Sequence, residues 1–266
     1  MLDLHSHLLP GIDDGPATLK ESLALARGYV AAGFSRVAAT PHWIFGTIWM
    51  PAVEDIRQRV DRFNRSLEKH EIPLRVFTGM EIALDLEIPK MLGQGRLLTL
   101  AESDSFLIET PFQVLPPRWE DLLTTIREKG YRVVLAHPER CARIIANPGL
   151  ADEILETGVH LQCNYDSFLG NPGEPVFDTA MHLLKKGYIH LLATDSHDPA
   201  HRHPGTSGKA IQVLEKIIDT ETLARITRIN PDRLIQGEPL ENPEPVRAKG
   251  PAKGGRRWWW FSEKQS

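Results

Sequence analysis

Histidines and carboxylates recur in this chain at spacings that suit the gripping of metal ions. His5 and His7 are separated by one residue, as are Asp195 and His197. Side chains at i and i+2 of an extended strand point the same way, so each pair can address one ion. Asp14 in Asp13-Asp14-Gly15, His42 after Thr40-Pro41, Glu81, Glu109, and His137 in His137-Pro138-Glu139-Arg140 add to the set. Five histidines and four carboxylates are too many for one cation and suit two or three, with bridging carboxylates. Mixed imidazole and carboxylate ligation favours Mn²⁺, Fe²⁺ or Zn²⁺ over Mg²⁺ or Ca²⁺, which prefer oxygen shells. Three divalent cations exceed the charge of four carboxylates by about two, a match for a phosphate monoester dianion. Arg140 and Arg202 stand beside this set, and an arginine fork suits phosphate oxygens.

Such residues need a scaffold that delivers them to one rim. Short apolar runs rich in β-branched residues occur at 2–7, 37–42, 76–82, 106–111, 133–140, 160–164 and 189–197 and read as seven buried strands. Their starts lie 27 to 39 residues apart, room for a helix between each pair. Residues 18–32 form the first such helix, with Leu19, Leu23, Ala26 and Val30 on one face and Gly33 as a stop. Residues 53–69, 119–129 and 176–186 read as further helices, and 211–229 as final covering helices. This alternation specifies an α/β fold with a parallel sheet. No GxGxxG or GxxxxGK[ST] sequence follows a strand, so nucleotide-binding folds are not signalled. A (β/α)7 barrel is expected instead, because nearly every strand ends in a histidine or carboxylate, and parallel folds build sites at those ends.

The 266 residues include eleven histidines and two cysteines, Cys141 and Cys163, and no apolar run long enough for a transmembrane helix. The first residues show neither the basic segment nor the apolar core of a secretory signal, so none is expected, and with two cysteines a reducing, cytoplasmic setting is expected. The net charge of −4 is an average: six basic residues against one acid give 245–266 a formal +5, leaving 1–244 at −9. An acidic body argues against broad nucleic-acid binding. The catalytic domain is expected over 1–237. A flexible Pro/Gly/basic tail is expected over 238–266, ending in Arg256-Arg257-Trp258-Trp259-Trp260-Phe261. Basic and tryptophan residues together suit weak contact with an anionic membrane surface, peripheral to its inner face.

His5-Ser6-His7 with His42, Glu81, His137 and Asp195-x-His197 resembles the PHP (polymerase and histidinol phosphatase) family of metal-dependent phosphoesterases. Within it, Asp3-Leu4-His5-Ser6-His7, Asp13-Asp14-Gly15-Pro16 and His137-Pro138-Glu139-Arg140 are similar to the CpsB/YwqE class of bacterial protein-tyrosine phosphatases. The resemblance spans 1 to about 237. It implies a distorted (β/α)7 barrel and a trinuclear site usually supplied with Mn²⁺. It also implies phosphate-binding roles for Arg140 and Arg202. The implied substrate is a phosphotyrosine protein, a bacterial tyrosine kinase of capsule or exopolysaccharide synthesis. Two other readings are a small-molecule phosphatase or nuclease of the same fold, and a non-catalytic scaffold that binds the kinase. Histidinol phosphatases of the family commonly carry histidine where this chain has Asp14. A cysteine-based phosphatase is excluded, since its loop needs Cys-x5-Arg and the sixth residues after Cys141 and Cys163 are Asn147 and Leu169. His201, His203 and Asp198 are candidate general acids, and Asn164 is a candidate for substrate contact or a turn.

Overall fold

The computed structural model describes residues 1–110 and 115–246. Pro111, expected to end the fourth strand, and 247–266, with the aromatic cluster, lie outside the described residues. The strands are β1 (Leu2–Asp3), β2 (Arg36–Ala39), β3 (His42–Trp43), β4 (Arg75–Thr78), β5 (Glu81–Ala83), β6 (Ser105–Glu109), β7 (Arg132–Ala136), β8 (His160–Asn164) and β9 (Ile189–Ala193). Every pairing is parallel, in two sheets of order β1-β2-β4 and β3-β5-β6-β7-β8-β9.

The second and third expected strands are each divided, by Thr40-Pro41 and by Gly79-Met80. Pro41 has no N–H to give a ladder. At Gly79 a Cβ would stand 3.0 Å from Thr40 Cγ2 and 3.2 Å from the Ala39 carbonyl, so the two breaks abut and a larger residue would have to push its neighbours aside. The first expected strand pairs regularly only at Leu2–Asp3, yet its backbone bonds continue. Thr40 N–H donates to Ser6 O (2.8 Å), Asp195 N–H to His5 O (3.0 Å) and His7 N–H to Ser196 O (2.9 Å), and Ser6 bridges Ser196 in parallel.

Helices connect the strands. In α1 (Leu19–Ala31), Thr18 and Glu21 form a reciprocal capping box, worth about 1 kcal/mol. The others are α2 (Val53–Lys69), α3 (Ile88–Gly93), α4 (Trp119–Glu128), α5 (Ala142–Ala146), α6 (Leu150–Glu156), α7 (Glu174–Lys186), α8 (Thr206–Leu214), α9 (Thr220–Ala224) and α10 (Asn230–Ile235). Across 211–229 the expected covering helices begin earlier and break. α8 ends at Leu214, and Asp219 then caps α9 by accepting from Thr222 N–H at 2.8 Å.

The strands are buried on both faces. β6 and β9 have no exposed residue, as a helix-covered parallel sheet requires. One face packs on helices through side chains such as Tyr29, Val37, Ile56, Phe63, Ile108 and Leu135. On the other face Leu2, Leu4, Ala38, Leu107, Val134 and Leu191, from five strand regions, meet in a second small cluster, closed by Leu100 and by Leu234 of α10. Residues 238–246, placed in the tail by the sequence, have no helix or strand and are pinned to this end. Leu240 packs on the second cluster, Glu241 N–H donates to Asn230 Oδ1 (2.8 Å), and Val246 N–H donates to Lys185 O (3.0 Å).

Candidate metal centre

The pairing registers bring the candidate ligands to one rim. His42 of β3 faces Glu81 of β5, and Ala83 of β5 faces Glu109 of β6. His137 follows β7, Asp195 and His197 follow β9, and His5 and His7 lie between them and β2 through the backbone bonds given above. Asp14 reaches in from the loop before α1. All nine come together in four overlapping sets: His7, Asp14, His42 and His197; His5, His7 and Glu81; His5, His137 and Asp195; and His42, Glu81 and Glu109. Within each set the donor atoms lie within 4.8 Å of one another.

Glu81 is the hub. Its Oε1 lies 2.9 Å from His137 Nε2 and 3.1 Å from His5 Nε2, and its Oε2 lies 2.8 Å from His42 Nδ1 and 3.3 Å from His7 Nε2. Asp195 Oδ1 sits 3.4 Å from His5 Nε2 and 3.5 Å from His7 Nε2. Asp14 Oδ1 is 3.3 Å from both His42 Nε2 and His197 Nε2.

Several of these contacts are poor hydrogen bonds, and that fits cation ligation. His42 Nδ1 and Glu81 Oε2 are both buried and 2.8 Å apart, yet neither has a hydrogen-bond partner; buried His197 Nε2 has none either. The ring nitrogens His5 Nε2 and His7 Nε2 face each other at 3.3 Å. Buried polar atoms without partners each cost about 1–3 kcal/mol, so a cluster of them is stable only with a further group to satisfy. Lone pairs of imidazole and carboxylate aimed at common points have the donor chemistry of divalent ions such as Mn²⁺, Fe²⁺ or Zn²⁺. The electrostatics agree. Burial pulls the His42 pKa down, but Asp14 and Glu81 outweigh it and hold it at about 10. Burial likewise opposes protonation of His7, and the Asp13 carboxylate reverses that. Burial would raise Glu81 and Asp195, yet the His5 charge and other neighbours hold both well below the usual carboxylate range. Glu81 and Asp195 therefore hold their charge against positive neighbours, whereas burial and the nearby Glu81 raise Glu109; a bound cation would favour the ionised form of each and would displace ring protons.

Other residues aim the ligands. Gln162 Oε1 lies 2.8 Å from His5 Nδ1, and Asp13 Oδ2 lies 2.8 Å from His7 Nδ1, contacts that leave each Nε2 free to face the centre. Asp13 also accepts from His42 N–H (3.2 Å) and Gly15 N–H (3.0 Å). The turn is tight: a Cβ on Gly15 would lie 2.1 Å from His7 O. Asp3 fixes the strand before Asp195 by accepting from Thr194 N–H (3.1 Å) and Tyr29 OH (2.9 Å). His137 and Asp195 hold left-handed backbone, φ +30° and +49°, a strain of about 1–3 kcal/mol each that the surrounding bonds maintain. Sequence reasoning did not single out Asp13, Gln162 or Asp3 as positioning residues. The i, i+2 spacing of Gln162 and Asn164 within an apolar strand was the available signal. Gln162→Leu and Asp13→Ala should each weaken Mn²⁺ affinity about 10–100-fold by calorimetric titration. Wild-type affinity in both would remove the aiming role.

Arg140 Nη1 and Arg202 Nη2 both donate to Asp195 Oδ2, at 2.9 and 2.6 Å. Asn164 Nδ2 donates to the same oxygen at 3.0 Å. One carboxylate thus faces the histidines with Oδ1 and the arginine side of the rim with Oδ2.

A sequence model of the family described as capsular polysaccharide synthesis, CpsB/CapC, matches residues 1–236. The chain belongs to this family. Tyrosine-protein phosphatase YwqE of Bacillus subtilis is 33% identical over 251 residues, covering 94% of this chain and 98% of that protein. Work on YwqE from Bacillus subtilis and CpsB from Streptococcus pneumoniae, described as unique metal-dependent tyrosine phosphatases, provides a solved chain that superposes with a TM-score of 0.84. It is 31% identical to this chain and covers 93% of this chain and 100% of that one. Histidinol phosphate phosphatase from Lactococcus lactis shares the fold at a TM-score of 0.53 and 16% identity, over 81% of this chain and 94% of that one.

The remaining candidates in this CpsB/CapC chain have other duties or lie aside. Asp198 accepts from Ala200, His201 and Arg202 N–H at 2.7, 2.6 and 3.1 Å. Slight burial opposes these bonds, but they bring its pKa to about 2, so it holds the loop as a carboxylate and is no proton donor at neutral pH. His203 Nδ1 accepts from Gly205 N–H (3.1 Å), and the His201 side chain is 90% exposed. Cys141 and Cys163 are buried thiols outside any disulfide. Burial and the nearby Glu139 push the Cys163 thiol well up, which disfavours a thiolate nucleophile.

Proposed function

We propose that this chain is a metal-dependent protein-tyrosine phosphatase. The observation that carries the reading is the convergence of five histidines and four carboxylates beside two arginines, in a chain so similar to tyrosine-protein phosphatases. The proposed ligands are His5, His7, Asp14, His42, Glu81, Glu109, His137, Asp195 and His197, holding two or three divalent ions, Mn²⁺ foremost. His5, His7, His42 and Glu81 each belong to two of the four sets, which supports more than one ion. The scaffold is proposed as one closed, distorted (β/α)7 barrel. The Ser6–Ser196 bridge and the inner cluster drawn from five strand regions support closure across the breaks at Thr40-Pro41 and Gly79-Met80.

When bound, the ions lower the pKa of water toward neutrality and draw charge from the phosphoryl oxygens. The chain's own part is positioning. Arg140 and Arg202 bind the non-bridging oxygens, their forks converging beside Asp195. A tyrosyl leaving group has a pKa of about 10, so it departs without a dedicated acid more readily than a serine alkoxide. The commitment of Asp198 to its loop is compatible with that.

The substrate is proposed as a phosphotyrosine protein, a bacterial tyrosine kinase of capsule or exopolysaccharide synthesis. Residues 1–237 are proposed as the catalytic domain and 238–266 as an appendage to it. Buried cysteine thiols outside any disulfide support a cytoplasmic setting. The test is phosphate release from a phosphotyrosine peptide, histidinol phosphate and a phosphodiester, each with Mn²⁺ and with chelator. Phosphotyrosine should be hydrolysed fastest, with Mn²⁺ alone. Preference for histidinol phosphate or the diester would move the chain to another phosphoesterase class, and inactivity on all three would leave a binding protein.

A further inference from the structure

Among the described residues five large hydrophobic side chains stand exposed, and three of them, Phe45, Ile48 and Leu86, lie on the loops after β3 and β5. Ile48 is 95% exposed. β3 and β5 are neighbours in register, His42 against Glu81, so both loops leave the sheet at the rim of the candidate centre. The first loop holds its shape by its own bonds. Ile44 N–H donates to Trp49 O (2.7 Å), Thr47 Oγ1 donates to Ile44 O (2.8 Å), and Trp49 N–H donates to Thr47 Oγ1 (3.1 Å). Its inner end is Trp49, whose indole lies nearly parallel to the His42 ring at 5.2 Å and 18°. Arg140 stands apart from it in the strand order, on the loop after β7, and Arg202 lies on the loop after β9, beyond His5 and His7. The rim therefore has a cationic side and an apolar side, and fixed, solvent-facing apolar groups beside a reactive centre mark a binding surface.

We propose that Trp49, with Phe45, Ile48 and Leu86 beyond it, forms the subsite for the tyrosyl ring and apolar flank of a phosphotyrosine peptide. This rests on the phosphatase reading above. A phosphoryl group held at the ligands and arginines must send its ester substituent out past the rim. An aryl ring there packs against the half-buried indole in offset or edge-to-face geometry. A phosphoserine is shorter and offers no ring, so it forgoes that contact. The subsite thus selects the aryl ester.

The full chain loaded with Mn²⁺ is titrated by calorimetry with phenylphosphonate and with inorganic phosphate, as wild type, Trp49→Ala and Trp49→Phe. Trp49→Ala should weaken phenylphosphonate about tenfold and leave phosphate within about twofold, with Trp49→Phe restoring most of the loss. The preference for a phosphotyrosine over a phosphoserine peptide should fall by about the same tenfold, mainly through KM, with manganese content unchanged. Equal weakening of both ligands, or loss of manganese, would overturn the proposal and make Trp49 a support for His42. Undiminished phenylphosphonate binding by Trp49→Ala would also overturn it. A wild-type chain that binds neither ligand fails the phosphatase reading itself.

Discussion

Glu81→Gln should cost the protein bound metal and about a thousandfold or more of its phosphotyrosine turnover. The carboxylate is buried and touches His5, His7, His42 and His137 within 3.3 Å. It also belongs to two of the four ligand sets. Glutamine keeps its size but removes the charge, and it places an amide N–H₂ where one carboxylate oxygen faces ring nitrogens. The measurement is metal content by plasma spectrometry beside turnover, with thermal unfolding with and without Mn²⁺ as a control. Wild type should gain stability from the ion and the variant should not, since only a ligand that binds the native state shifts unfolding. A variant that keeps both its metal and its activity would remove Glu81 from the centre.

The second large effect belongs to the arginines. Arg140→Ala and Arg202→Ala should each lower kcat/KM for a phosphotyrosine peptide about a hundredfold, roughly 2.7 kcal/mol of transition-state stabilisation, with metal content intact. Lysine should restore little, because a point charge does not reproduce a planar fork on two phosphoryl oxygens. Both guanidinium groups meet one oxygen of Asp195, so the double variant should lose less than the product of the two single losses. Loss of metal in either variant would instead mean that the arginine serves chiefly to hold Asp195.

The nine ligand candidates were legible in the sequence because strand geometry converts spacing into direction. His5 and His7, at i and i+2 in an apolar run, point one way, and parallel strands end at one rim; Asp195 and His197 reach that rim beyond the end of β9, through left-handed backbone at Asp195. The α/β alternation was legible for the same reason, as apolar runs of strand length alternate with helical faces. The breaks at Thr40-Pro41 and Gly79-Met80 were harder to read. They depend on two strands meeting, Gly79 against Thr40, and no single run records a neighbour's closeness. The short α3, α5 and α6 have too few residues to show a helical period. Gln162 and Asp13 were missed because each acts through another side chain, and a lone polar residue in a strand or turn looks the same whether it aims a ligand or meets water. The left-handed backbone at His137 and Asp195 was likewise hidden: histidine and aspartate adopt positive φ more often than most residues, but that preference is too weak to mark a single position.

Hydrolysis of phosphotyrosine at this candidate metal centre is measured as phosphate release from a phosphotyrosine peptide by the full chain, first with Mn²⁺, then after chelation, then after Mn²⁺ is restored. Activity that vanishes with the chelator and returns with Mn²⁺, and that is unaffected by Cys141→Ser and Cys163→Ser, is the predicted result. Hydrolysis that survives chelation, or that never appears with any of Mn²⁺, Fe²⁺ or Zn²⁺, would contradict it.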